Sequence, residues 1–226
     1  MLDKIIENKE KGIINYNAIN YDVIPYIPSD TKHILDVGCG SGDLAHYLSD
    51  KYIFDGITYS IDEGEKAKTF LRNTYVLNLN ILSEIDNLTS SYDCIICSHI
   101  LEHLYEPWLL VKTLEKLLKP NGVLIIAIPN ILFYKQRIKF LTGKFEYSLN
   151  GGLMDITHYR FFDYYSVDIL LKDTSLKLLK KEGVGIIPLG PIRKIWKKGF
   201  KQIENYIVSK FPNLFSFQII ISLRKD

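Results

Sequence analysis

An apolar run, His33-Ile34-Leu35-Asp36-Val37, leads directly into Gly38-Cys39-Gly40-Ser41-Gly42, and a helical pattern begins at Asp43. Glycine at three alternate positions permits positive φ and lets backbone amides come close to a ligand. A strand that ends in such a turn and feeds a helix is a building unit of an open α/β sheet. In that architecture ligands bind beyond the carboxyl ends of the strands.

The remaining chain repeats the alternation. Apolar runs at 54–58, 75–79, 92–97 and 123–128 read as strands, and 43–49, 62–72 and 106–118 have helical composition. This order predicts a mostly parallel sheet with helices on both faces. Lys119-Pro120-Asn121-Gly122 predicts a helix stop and a turn, because proline ends a helix and Asn-Gly accepts positive φ. The aromatic-rich segment 131–165 is too long for a plain connection and predicts a substrate-facing insertion after the fifth strand. Beyond it, 166–180 reads as a helix, 184–187 as a short strand, 192–210 as a helix with an apolar stripe, and 215–223 as a last strand. One domain over residues 1–226 is expected.

Composition narrows the class. The 226 residues are 47% hydrophobic and 24% charged, which is globular rather than disordered. A net charge of +2 gives no argument for a nucleic-acid partner. The first residues lack the apolar core of a signal peptide, and no apolar run approaches the ~18 residues of a membrane span. A cytoplasmic location is therefore expected. Cys94-Ile95-Ile96-Cys97 has the C-x-x-C spacing. Residues three apart on a strand point to opposite faces, so buried-core roles are expected for both thiols.

The turn is spaced G-x-G-x-G, not the G-x-G-x-x-G of dinucleotide sites, and Asp43 replaces the third glycine of that pattern. A carboxylate ahead of the turn, Asp36, suits a ligand with a cationic ammonium better than a pyrophosphate. Here the sequence resembles the class I S-adenosylmethionine-dependent methyltransferases. The resemblance implies a Rossmann-like fold with a seven-stranded, mostly parallel sheet. It further implies that Asp36, Gly38, Cys39, Gly40 and Gly42 hold the aminoacyl end of S-adenosylmethionine, with Ser98 facing the cofactor from the fourth strand. The family usually has an acid at the end of the second strand for the ribose. Thr58 stands there, with Asp62 or Glu63 able to compensate, so Thr58→Asp is expected to preserve or strengthen binding. Tyr59 is expected beside the adenine, and Asn80 on its edge in place of another acid.

Ser98-His99-Ile100-Leu101-Glu102-His103 carries a Leu-Glu-His segment common in small-molecule members of the family. Gly152-Leu153-Met154-Asp155-Ile156-Thr157-His158-Tyr159-Arg160-Phe161-Phe162 resembles a bacterial group associated with surface-polysaccharide and other glycan biosynthesis. The resemblance implies methylation of a sugar hydroxyl or related glycan precursor; an unrelated small metabolite, such as a quinone precursor, is the alternative, and a non-catalytic cofactor-binding protein is a third reading. Because an alcohol needs a base, His103 and His158 are the candidate catalytic residues. Arg160 is a candidate phosphate ligand, or a partner of Asp155 or Asp163. Tyr134, Tyr147, Tyr159, Phe161 and Phe162 form either an acceptor wall or the insertion's own core. The basic helix at 192–210 offers a peripheral contact to an anionic membrane. No recognised ligand spacing predicts a metal.

Overall fold

The computed structural model describes residues 19–89, 91–149, 151–188 and 197–226. Seven strands form one sheet: β1 (His33–Val37), β2 (Ile53–Thr58), β3 (Asn73–Val76), β4 (Tyr92–Ser98), β5 (Leu118–Pro129), β6 (Lys177–Gly185) and β7 (Ser216–Arg224). Their order is β3-β2-β1-β4-β5-β7-β6. Neighbours from β3 to β5 pair in parallel. The last strand, β7, inserts antiparallel between β5 and β6. The helices are α1 (Asp43–Leu48), α2 (Ile61–Ala67), α3 (Leu82–Asp86), α4 (Pro107–Leu117), α5 (Tyr134–Leu141), α6 (Lys197–Lys210) and α7 (Pro212–Phe215). Short 3-10 turns at Tyr21–Tyr26, Leu101–His103 and Ser166–Leu171 complete the described chain.

The near-continuous apolar strands have both faces covered. Leu35, Val37, Ile95 and Cys97 join one core cluster, whereas Ile34, Phe54, Cys94 and Ile96 join the other. Complete burial of an Ile or Leu stabilises by roughly 1.5–3 kcal/mol, so this two-sided filling dominates the fold. Cys94 and Cys97 thus sit on opposite sides of the sheet, as the strand period requires.

Asp55, on β2, is a buried anchor. It accepts from Arg72 Nε at 2.9 Å and Nη2 at 2.6 Å, from Asn73 N at 3.2 Å and from Tyr92 Oη at 2.9 Å. Burial alone would raise its pKa, but these donors outweigh it and hold the carboxyl below the usual range. β3 runs from Asn73 to Val76, so it starts two residues and ends three residues earlier than the sequence pattern suggests.

One expectation fails here and a second holds in part. Residues 166–180 are not one helix: the 3-10 turn ends at Leu171, Asp173 takes φ +63°, and β6 begins at Lys177. Leu and Lys are good helix formers, but pairing along β7 gives this backbone its hydrogen bonds. The lysines then guard an exposed edge strand. The helix does stop, at Leu117, and Asn121 adopts φ +63°, but residues 119–122 lie inside β5.

Candidate active site

The glycine turn behaves as its sequence requires. Gly38, Gly40 and Gly42 have φ of +86°, +52° and +83°. The amides of Gly38 and Cys39 both donate to the Ile57 carbonyl, at 2.8 and 2.9 Å, tying the turn to β2. A Cβ on Gly38 would stand 2.9 Å from Ile100 Cγ1, so the segment after β4 packs directly on the turn. Cys39 is buried, and burial pushes its thiol well above the usual range, which makes it packing rather than a nucleophile.

Asp36 is 5% exposed, and burial pushes its carboxyl up to about 7. A desolvated carboxyl beside a cradle of positive-φ glycines fits the ammonium of an aminoacyl group, which supplies the missing counter-charge. The aminoacyl end of S-adenosylmethionine therefore fits the residues present.

The ribose end is rearranged relative to expectation. Thr58 is buried, and its hydroxyl donates to Glu63 Oε2 at 3.2 Å. Ser60 Oγ accepts from Glu63 N at 3.2 Å and caps α2. Burial raises the Glu63 pKa, with Thr58 opposing it. Glu63 is thus the acid at the carboxyl end of β2, and Thr58 positions it. An Asp at 58 would face that carboxylate, an arrangement that opposes the gain expected from Thr58→Asp. Tyr59 is exposed beside this end. Asn80 does something unforeseen: its Oδ1 accepts from the Tyr105 backbone amide at 3.0 Å and ties the loop after β3 to the segment after β4. The Ser98 hydroxyl accepts from Asn20 Nδ2 at 3.0 Å.

On the other side, the insertion returns to the sheet. Tyr159 N and Arg160 N both donate to the Glu102 carbonyl, at 2.9 and 3.1 Å. His103 and His158 meet edge to face with ring centroids 4.7 Å apart. His103 Nδ1 lies 2.9 Å from Thr157 Oγ1 and 3.2 Å from the Thr157 carbonyl. The Glu102 carboxyl is buried and its Oε2 has no hydrogen-bond partner. Burial alone would raise its pKa, but the neighbouring His99 and His103 outweigh it and favour the carboxylate. Burial, reinforced by His103 and opposed by Glu102, lowers the pKa of His158 and favours its neutral form. No local spacing announces a metal-ligating set. Yet the fold places donor atoms of Glu102, His103 and His158 within 4.8 Å of one another, a set that could hold a cation.

Arg160 binds neither Asp155 nor Asp163 in this arrangement. Its Nε and Nη2 donate to the Tyr105 carbonyl at 2.9 and 2.6 Å, and its guanidinium lies over the Trp108 ring at 5.5 Å. A planar fork suits a shared carbonyl stacked on an aromatic face, so the side chain anchors a loop. Phe162 is buried in the main sheet core, whereas Tyr147 and Tyr159 are exposed. Tyr159 packs against Tyr105 with centroids 4.6 Å apart.

His99 is the residue that the sequence undervalued. It follows β4 with φ +53°, a left-handed conformation rare for a non-glycine residue. Its Nε2 is 2.9 Å from Gln218 Oε1, and its Nδ1 3.5 Å from Glu102 Oε1. Burial lowers its pKa, but Glu102 and Gln218 more than offset that and favour the imidazolium. Its key partner is 119 residues away, so only the folded chain displays it. Among other histidines, His46 packs on Phe70 at 4.3 Å and His33 faces Arg72 at 3.3 Å.

The membrane expectation for 192–210 falls partly outside the described residues. Within α6, Glu204 is buried and accepts from Ile187 N at 3.1 Å, a structural use of the helix's acid. Among the described residues, no helix is long and apolar enough to cross a membrane.

Comparison with known proteins agrees with this geometry. The ubiquinone biosynthesis O-methyltransferase of Hydrogenovibrio crunogenus is 25% identical over 221 residues, covering 90% of this chain and 86% of that protein. The enzyme of the same name from Rickettsia akari is 30% identical over 183 residues, covering 77% of this chain and 69% of the relative. A crystal structure of a SAM-dependent methyltransferase from Archaeoglobus fulgidus shares the fold with a TM-score of 0.64, at 17% identity and full coverage of both chains. A family profile described as a methyltransferase domain matches residues 15–181. The chain belongs to the methyltransferase-domain family and is an S-adenosylmethionine-dependent methyltransferase.

Proposed function

We propose that the protein is an O-methyltransferase that acts on a small-molecule hydroxyl with His103 as general base. One observation carries this reading. His103 sits on the segment that packs against the glycine turn through Ile100, and its Nδ1 is engaged by Thr157. Bound S-adenosylmethionine supplies an electrophilic methyl carbon. Asp36, beside the glycine turn, would hold its aminoacyl end, and Glu63 would accept from the ribose hydroxyls. His103 Nε2 takes the proton of the acceptor hydroxyl, and the adjacent Glu102 carboxylate favours the resulting imidazolium.

A phenolic hydroxyl is the leading acceptor. Relatives named for ubiquinone biosynthesis support it, and a phenol with pKa near 10 is within reach of a single imidazole. A sugar hydroxyl is the second reading, supported by the resemblance of residues 151–162 to the polysaccharide-associated group. Transfer of labelled methyl to phenolic acceptors and nucleotide sugars separates the two. His103→Gln is expected to lower kcat by about 10²–10⁴-fold with unchanged cofactor affinity. Full turnover in that variant, on every acceptor that the wild-type protein methylates, would sink the assignment of the base.

A further inference from the structure

The insertion reaches His103 through Thr157, and Thr157 is held in turn by Asp155, which the methyl-transfer reading leaves unused. Asp155 is buried, and its Oδ1 accepts from both Thr157 N and Thr157 Oγ1, each at 2.8 Å. A threonine hydroxyl has one proton to donate. With that proton directed at Asp155, the oxygen presents lone pairs to His103 Nδ1 at 2.9 Å. The Thr157 carbonyl, 3.2 Å from the same nitrogen, is a second acceptor. Two acceptors on Nδ1 require it to carry a hydrogen, which leaves the lone pair on Nε2.

We propose that Asp155 and Thr157 form a positioning relay for His103: Asp155 orients the Thr157 hydroxyl, and that hydroxyl fixes His103 as the Nδ1–H tautomer. The inference rests on the reading of His103 as the base. It explains the Asp155-x-Thr157 spacing chemically, because residues two apart in this turn let one carboxylate hold both the amide and the hydroxyl of the second. It also separates the roles of the adjacent residues. Thr157 directs the ring that takes the proton, whereas His158 packs edge-on against it. When His103 is protonated, both its nitrogens donate, and Thr157 Oγ1 accepts from Nδ1 while it donates to Asp155 Oδ1.

The test uses the full chain with Thr157→Val, Thr157→Ser and Asp155→Asn, with EDTA present so that no cation masks Nε2. Nitrogen NMR of histidine-labelled protein reads the His103 tautomer and its titration, and pH–rate profiles are measured beside it. The wild-type protein is expected to show the Nδ1–H form. Thr157→Val and Asp155→Asn are expected to populate the Nε2–H tautomer beside the Nδ1–H form, and to displace the pH–rate profile in the same variants. The same variants should slow kcat about tenfold, with S-adenosylmethionine affinity unchanged. Thr157→Ser should restore both. A wild-type His103 protonated on Nε2, or variants that bind cofactor normally with titration and rate profiles superimposable on the wild type, would overturn the relay. The NMR reading needs no turnover, so the relay and the assignment of the base fail separately.

Discussion

The two halves of the site are built differently. On the cofactor side, Asp36, the three glycines, Thr58 and Glu63 lie on two consecutive strand–helix units, and Glu63 is held by Thr58 and Ser60, five and three residues away. On the proposed acceptor side, His103 depends on Thr157 and His99 on Gln218, partners 54 and 119 residues distant. The first half is a local device, set by backbone conformation and a single buried charge. The second is a tertiary device, assembled only when the insertion and β7 return to the sheet. A change on the cofactor side should therefore alter cofactor binding with little else, and a change on the acceptor side should alter turnover.

Asp36 gives the largest test of that division. Its carboxyl is raised from 3.8 to about 7 in the folded chain, so the folded state holds the proton more tightly than the unfolded one. That contribution to stability is full below about pH 4 and is lost as pH rises through about 7. The loss has an upper bound of roughly 4 kcal/mol, from 1.36 kcal/mol per pKa unit. Asp36→Asn removes the charge. At pH 8 the cofactor-free variant is expected to melt above the wild type, with the gap closing toward pH 4. It is also expected to bind S-adenosylmethionine about 10²-fold more weakly, since the ammonium loses its carboxylate. Calorimetric titration and thermal melts across this pH range check both. Undiminished affinity in the variant would break the cofactor-side assignment.

The same division explains what could be read from the sequence. The turn was legible because glycine at positive φ and an acid before it are local requirements. The positions of β1, β2 and β4 followed from apolar runs bounded by turn residues. What escaped reading depended on distant partners. Lys177 to Lys181 favours helix by itself, yet forms an edge strand because β7 offers it a ladder. Arg160 could have taken a phosphate or an acid, and only the folded chain puts the Tyr105 carbonyl and Trp108 beneath it. His99 looked ordinary until Gln218 and Glu102 were brought to its two nitrogens.

Glu63 sharpens the comparison from within the cofactor half. Glu63→Gln keeps the shape and the bond from Thr58 but loses the charge that accepts strongly from two ribose hydroxyls. About a tenfold rise in cofactor Kd is expected, with the acceptor KM unmoved. Thr58→Asp should also weaken binding, because two carboxylates within hydrogen-bond reach cannot both ionise readily. Titration of both variants with S-adenosylhomocysteine measures this. Tighter binding by Thr58→Asp would restore the direct ribose role to position 58.

Asn80 lies on the boundary and gives the smallest effect. If it served the adenine edge, Asn80→Ala would raise cofactor Kd alone. Its Oδ1 instead accepts from Tyr105 N, whose carbonyl in turn takes both bonds from Arg160. Loss of that one exposed bond costs about 0.5–1.5 kcal/mol of local order. The affected segment carries Tyr105 and follows His103 directly, so the loosening should reach the acceptor side first. A two- to fivefold rise in acceptor KM is expected, with cofactor Kd changed by less than about twofold. Paired measurement of the two constants decides the point. A change in cofactor Kd with a constant acceptor KM would move Asn80 back to the adenine and redraw the boundary between the two halves.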